Sequence, residues 1–471
     1  MNHVLRSSRV LLGGGADPIR IVPADVQIQG DLIVGVAAPD PDRAAQDLGE
    51  RLITPAFINA HTHLAMGYLR GLATPAQLQG NVVEDLYFQI ESHLQAGDVR
   101  AFSRIAAVES ALAGVGCVWD HYYFGREVAD ALLDVGLCGV VAPTLQDLSG
   151  PGVAALDLQW QAMVDMTADA RLAAAGIVTA LGPHATDTVS SDLWTRVARH
   201  SADANLPVHA HVAQSVEEYQ RSLIEHGCSP IARLRREGAL DAAPAFLLVH
   251  GLYVDRSDLT LLDPQRHLLV HCPWSQVQFG FPARVGWWRQ AGLSMAIGTD
   301  CGACNDTMDV QQELRLAAWG GSYSATWSAE ADAFGRDGNA ETARALDRRR
   351  SIQVTAEIPD ATIDWLLNSV WAVPGSAHPR LPLGAIAPGR RANLLVFDTD
   401  HPVLWPGTDL AHALTQTTVA PAIHTMYVNG RPIATPGDHQ RGLLGHPDLR
   451  AWRQEANGRM RGLMARAGVS P

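Results

Sequence analysis

Phe57-Ile58-Asn59-Ala60-His61-Thr62-His63 decides how the chain is read. The run is short, opens apolar, follows a proline at 55, and ends in two imidazoles spaced two residues apart. In a β-strand that spacing puts both rings on one side. Seven more short apolar runs follow, at residues 116–123, 139–145, 176–184, 207–212, 246–254, 267–272 and 294–300. With 56–63 they make eight, separated by helix-length stretches such as 98–113 and 192–203. Eight β–α repeats predict an α/β fold, a (β/α)8 TIM-like barrel of parallel strands.

Outside the repeats the pattern changes. Residues 4–12, 25–29 and 32–36 read as short strands, and 392–397 and 425–429 do so near the other end, with a hairpin signal at Val428-Asn429-Gly430. The expectation is a barrel over 55–383 that interrupts a small β-sandwich built from 1–54 and 384–440. Residues 441–471 form a C-terminal helix and tail. Residues 309–319 read as a helix, and 321–350 are polar, arginine-rich and unassigned. Gly13-Gly14-Gly15 is followed by more strand, so it reads as a turn and not as a phosphate loop.

Composition narrows the function classes. The chain has 471 residues, 47% hydrophobic and 18% charged, which is globular. Net charge is −13, which argues against nucleic-acid partners and against an acidic membrane surface. No lysine occurs anywhere, so all 36 basic residues are arginine. This excludes Schiff-base chemistry, P-loop and protein-kinase phosphotransfer, and a lysine carbamate bridging two metals. Six cysteines are too few for a disulfide scaffold, and Cys301 and Cys304, although a C-x-x-C, read as two ordinary thiols in a loop. There is no signal-peptide pattern and no apolar run of ~18 residues, so the expectation is a cytoplasmic protein.

Chemistry in such a barrel belongs at the C-terminal strand ends. His61 and His63 end the first run, His184 the fourth, and His209 and His211 lie on the fifth. His250 lies on the sixth, His271 on the seventh, and Asp300 ends the eighth. Neutral imidazole with carboxylate suits zinc or iron(II), and three histidines plus one aspartate leave an open position for water.

The motifs at these positions resemble those of the amidohydrolase superfamily. They are residues 57–63, Gly182-Pro183-His184-Ala185, Val249-His250-Gly251, His271-Cys272-Pro273-Trp274-Ser275, Gly298-Thr299-Asp300 with Asn305, Asp306 and Asp309, and Pro388-Gly389-Arg390-Arg391-Ala392-Asn393-Leu394. The branch they are most similar to holds the cytosine, guanine and S-adenosylhomocysteine deaminases and the triazine hydrolases. The resemblance implies one divalent metal, zinc or else iron(II), on His61, His63, His211 and Asp300. It places His250 beside the metal-bound water and His184 against substrate, and it gives His209 no fixed role. It also implies a homodimer or larger assembly and a small heterocyclic substrate.

The implied reaction removes an amino or alkylamino group. A catalytic metal lowers the pKa of water from about 15.7 to about 7. Asp300 takes the proton as hydroxide attacks an sp² carbon, and His250 stabilises the charge that develops. One position departs from the deaminase pattern. Gln214 stands three residues after His211, where the deaminases carry a proton-moving glutamate. Loss of such an acid costs about 10²- to 10⁴-fold. Three readings stay open. Glu217 or Glu218 substitutes; the leaving group, a halide, needs no acid; or Gln214 binds substrate while Asp300 moves the protons. Hydrolytic dehalogenation and cyclic-amide opening are the alternative reactions. A non-catalytic relative is disfavoured, because all four ligands are kept. Trp119, with His121 and Tyr122, and Trp274 are candidates to stack on a flat ring or else to pack between barrel and loops, whereas Trp287 and Trp288 read as core.

Overall fold

The computed structural model describes residues 2–72, 81–279, 285–326, 329–356 and 362–469. The N-terminal strands are β1 (Asn2–Gly14), β2 (Asp17–Gln29), β3 (Leu32–Ala37), β4 (Gln46–Asp47) and β5 (Leu52–Pro55). Then come ten parallel segments: β6 (Phe57–His63), β7 (Val115–Tyr122), β8 (Cys138–Leu145), β9 (Ile177–Thr179), β10 (Gly182–Pro183), β11 (Val208–Val212), β12 (Phe246–His250), β13 (His267–His271), β14 (Ser294–Ile297) and β15 (Asp300–Cys301). The chain returns to strand in β16 (Leu394–Phe397), β17 (Ile423–Val428) and β18 (Arg431–Pro432).

The terminal strands share one hydrogen-bonded sheet in the order β18-β17-β16-β5-β1-β2-β3, with β4 alongside β1. β5 joins the two ends of the chain, pairing parallel to β1 and antiparallel to β16. Strand periodicity divides its faces. Leu394 and Val396 join Leu5, Val26 and Ile53 in a small core of the sheet's own, whereas Leu395 and Phe397 face the large core. The glycine turn behaves as expected. Gly13 has φ +100°, and a Cβ there would sit 2.2 Å from the Pro18 carbonyl oxygen.

The parallel segments lie in two arcs, β10-β8-β7-β6-β15 with β9 on β8, and β11-β12-β13-β14. Isolated bridges Leu181↔Val208 and Ala185↔His211 connect them. The fourth and eighth runs each break in two. Residues 294–301 pair first with β13 and then, through Asp300↔Thr62, with β6. The result is a TIM-barrel-like α/β arrangement with helices such as Ala96–Leu112, Gly125–Val135 and Ser191–Ala204 between the strands. Ser190 starts the last of these by accepting the Leu193 N–H, an N-cap.

The unassigned stretch is helical, Ala329–Asp337 and Ala340–Ala356. The terminal helix, Leu449–Ala467, is docked against Ala96–Leu112, with Leu463 and Met464 buried and Arg104 on Glu455 at 2.7 Å. Residues 470–471 of the expected tail lie outside the described residues. Among those described, no helix is long and apolar enough to cross a membrane.

Candidate metal centre and active-site cavity

The parallel strands bring His61, His63, His211, His250 and Asp300 to one point. Strand pairing places them: Asp300 is in register with Thr62 and Cys301 with His63. The ring centroids of His61 and His63 are 4.7 Å apart, and that of His211 is 5.0 Å from His61.

The nitrogen that each ring presents can be read from its other bonds. His63 Nδ1 meets the His121 carbonyl, and His211 Nδ1 lies 2.8 Å from the His184 carbonyl. A carbonyl only accepts, so each Nδ1 carries the proton and each Nε2 carries a lone pair. These two Nε2 atoms stand 3.3 Å apart. His61 Nδ1 is 2.9 Å from His209 Nε2, and its own Nε2 is buried with no hydrogen-bond partner. Asp300 Oδ1 lies 3.6 Å from His61 Nε2 and 3.5 Å from His63 Nε2.

Lone pairs converging in a buried site repel unless a cation lies between them. Two nitrogens held ~2.05 Å from a tetrahedral ion stand ~3.3 Å apart. The donor set fits one divalent metal ion. Each ring's second nitrogen is held by a carbonyl or by His209, as metal-ligating histidines require.

Electrostatics agree. Burial drives His61 down to about 3 and lowers His63 and His250, so all are neutral near pH 7. Burial alone would raise the Asp300 carboxyl. The close approach of His61 Nε2, at 3.6 Å, and the other facing histidines outweigh it and hold the group well below the usual carboxylate range. Ala213, His250 and Asp300 have φ of +53°, +74° and +60°. Non-glycine residues there cost about 1–3 kcal/mol each and collect at functional sites. Thr62 Oγ1, bonded to the Asp300 carbonyl at 2.9 Å, helps hold that backbone.

The cluster floors a cavity of about 470 Å³ walled by Tyr87, Phe88, Glu91, Tyr122, His184 and Gln214. His184 Nδ1 lies 2.9 Å from Thr188 Oγ1, which fixes the ring. Glu91 is buried and accepts from Tyr122 Oη at 2.6 Å, and burial pushes it up to about 7 against that bond. Glu217 lies on the cavity rim and is exposed.

Glu218 is committed elsewhere. It accepts the Ala213 N–H at 3.0 Å, the Gln214 N–H at 2.7 Å and the Thr186 hydroxyl, tying down the strained turn that aims Gln214. Ser215 caps the following helix by accepting the Glu218 N–H.

Trp119 corrects the sequence reading. It does not line the cavity. At 1% exposure its ring packs under the floor, edge-on to His209 at 5.9 Å and against His378. It faces inward as its strand dictates, but too deep to meet a ligand. Trp274 also lies off the cavity wall and is half exposed. Trp288 is core, as expected. His209 shares a face with His211 through its i, i+2 spacing, and the structure adds its contact with His61. Tyr87, Phe88 and Glu91 carried no signal, since they sit in a π-helical turn, Val83–Tyr87, and a one-turn helix, Phe88–Glu91.

Comparison with known proteins gives the family and the fold. The family model described as Amidohydrolase family matches residues 52–329. The 5-methylthioadenosine/S-adenosylhomocysteine deaminase of Haloarcula marismortui is 29% identical over 420 residues, 86% of this chain and 88% of that protein. The solved structure of an adenosine deaminase from Xanthomonas campestris with bound zinc superposes with a TM-score of 0.77 at 21% identity, covering 98% of this chain and 99% of that one. Atrazine chlorohydrolase from Arthrobacter aurescens TC1, complexed with zinc, gives 0.76 at 20% identity, covering 97% and 99%. At those identities the structures speak to fold alone. The family match spans more than half of the chain, which therefore belongs to the amidohydrolase family and is a hydrolase of carbon–nitrogen bonds.

Proposed function

We propose that this hydrolase removes an amino or alkylamino group from a nitrogen heterocycle, with one zinc ion on His61, His63, His211 and Asp300. The observation that carries the reading is the convergence of unprotonated Nε2 atoms and the Asp300 carboxylate at the floor of an aromatic-walled cavity. The deaminase names of relatives such as that of Haloarcula marismortui support it. The same reading takes the two arcs as one closed barrel and the terminal sheet as the β-sandwich.

A divalent ion held by these residues supplies Lewis acidity toward water and the reacting carbon. Asp300, with Oδ2 3.8 Å from His250 Nε2, accepts the proton of the attacking water. His250 hydrogen-bonds to the charge that develops on the substrate. His184, fixed by Thr188, orients the ring. The Gln214 amide binds the ring edge, and Asp300 returns its proton to the departing amine.

Gln214 favours a second reading, hydrolytic dehalogenation, because a halide leaves without protonation. Ammonium release from aminated purines, pyrimidines, pterins and triazines separates the two, with His61→Ala as the blank. Metal-dependent ammonium establishes the deaminase. Halide release from the matching chlorinated rings, with no ammonium, replaces it. If only the acid is missing, Gln214→Glu raises ammonium release; no gain favours a binding role for Gln214 or a different leaving group.

A further inference from the structure

Cys301 and Cys304 are buried side chains that line the cavity next to Asp300, and their Sγ atoms stand 2.9 Å apart. The hydrolytic chemistry uses neither. Together with Asp300 they also form a group whose ligand atoms lie within 4.8 Å of one another, so the pair could serve a second metal or a sulfur–sulfur bond. Distance decides between the two. Two thiolates ~2.3 Å from a tetrahedral ion stand ~3.8 Å apart. A disulfide needs ~2.05 Å. At 2.9 Å the sulfurs are too close to share an ion and need only small side-chain rotations to bond.

We propose that Cys301 and Cys304 are a reversible redox site, closed to a disulfide by a hydroperoxide small enough to enter the cavity. Cys301 sulfur attacks the peroxide; an S–O bond forms, the O–O bond breaks, and water or an alcohol leaves. Cys304 sulfur then attacks Cys301 sulfur; the S–S bond forms, the S–O bond breaks, and water leaves with the remaining proton. Two thiols are oxidised and one hydroperoxide is reduced.

The closure bears on catalysis through the cavity wall. Cys301 is in register with His63, and Asp300 immediately precedes it in the left-handed region. The Cys301 carbonyl accepts the N–H groups of Cys304 at 3.2 Å and Asn305 at 3.1 Å, so residues 301–305 form one turn. That turn cannot swing away, because a Cβ on Gly302 would already lie 2.9 Å from the Gly67 Cα. The sulfurs therefore close by side-chain rotation and reshape the cavity wall beside Asp300, where sub-ångström misplacement of a reacting group costs about tenfold or more.

The test uses the intact, zinc-loaded chain treated with hydrogen peroxide and then cleaved at arginine. Residues 290–315 form one peptide that holds both cysteines and no other. The expected result is loss of the mass of two hydrogens from that peptide, reversed by dithiothreitol and absent in Cys304→Ser and in Cys301→Ala. Turnover of a panel substrate falls about tenfold with the mass change and recovers with it. The mass result stands whether or not the deaminase reading does; only the turnover result rests on it. Two free thiols in the peptide after Cys228, a free and partly exposed cysteine, has been oxidised overturn the proposal. So does a second zinc ion per chain that Cys304→Ser removes.

Discussion

The floor and the wall of the cavity are built by different rules. His61, His63, His211 and Asp300 lie on parallel strands, and strand register fixes where each side chain goes. Each of the three rings is also held by a second bond, to His209 or to a backbone carbonyl. Apart from Tyr122 and His184, the wall facing them comes from short irregular segments, Val83–Tyr87 and Phe88–Glu91, and from the turn that presents Gln214. The floor is rigid because many hydrogen-bonded ladders determine it. The wall is free to vary, so one floor can serve many rings.

If the floor alone carries the chemistry, damage there is catastrophic. Asp300→Asn keeps the shape of the side chain and removes its basicity. Turnover is expected to fall by at least about 10³-fold. Bound zinc, measured by elemental analysis, tells proton transfer from ligand loss. A rate within tenfold of wild type would remove Asp300 from the proton path and break the contrast at its strongest point.

A smaller effect is expected one layer beneath. His209 does not line the cavity, yet its Nε2 lies 2.9 Å from His61 Nδ1, and as the acceptor there it would set which His61 nitrogen faces the centre. His209→Phe is expected to weaken metal binding about 10- to 100-fold, read by chelator competition. Unchanged metal affinity would show that the strand alone orients His61.

The difference between floor and wall also explains what could be read from sequence. His61-Thr62-His63 and His209-Ala210-His211 announce a face through their period of two, and Asp300 is legible as the end of the eighth run. The same period hid a layer, for it fixes the side of the strand and not the ring nitrogen that His61 offers to His209. Glu91 had nothing to announce it. Its position follows from where a π-helical turn leaves the chain and from Tyr122 on a distant strand. Glu218 looked free because it is acidic and near Gln214; only the positive φ of Ala213 shows why its carboxylate is occupied. The Cys301 and Cys304 pair reads as a loop until the turn at Gly302 is seen pressed against Gly67.

The wall can be probed through Glu91, whose carboxyl burial pushes up to about 7. It is largely protonated below that pH and charged above it, so it adds a titration near neutrality to kcat/KM. Glu91→Gln is expected to erase that limb, to change kcat/KM by about tenfold at most, and to leave zinc content unaltered. Loss of metal would show that floor and wall are one mechanical unit.

Trp119 gives the smallest catalytic effect and the sharpest test of depth. Its strand points it inward, exactly as it points the neighbouring His121, which does line the cavity. Alternation therefore cannot say which inward residue meets solvent and which is sealed below. Its contacts are His209 and His378, so its role is to pack the underside of the floor. Trp119→Phe is expected to cost about 1–3 kcal/mol of stability by leaving a void. KM is expected to stay within about twofold, because no substrate contact is lost. A large rise in KM with unchanged melting temperature would move Trp119 into the wall, and with it the boundary between the part of the site that strand register determines and the part that loops determine.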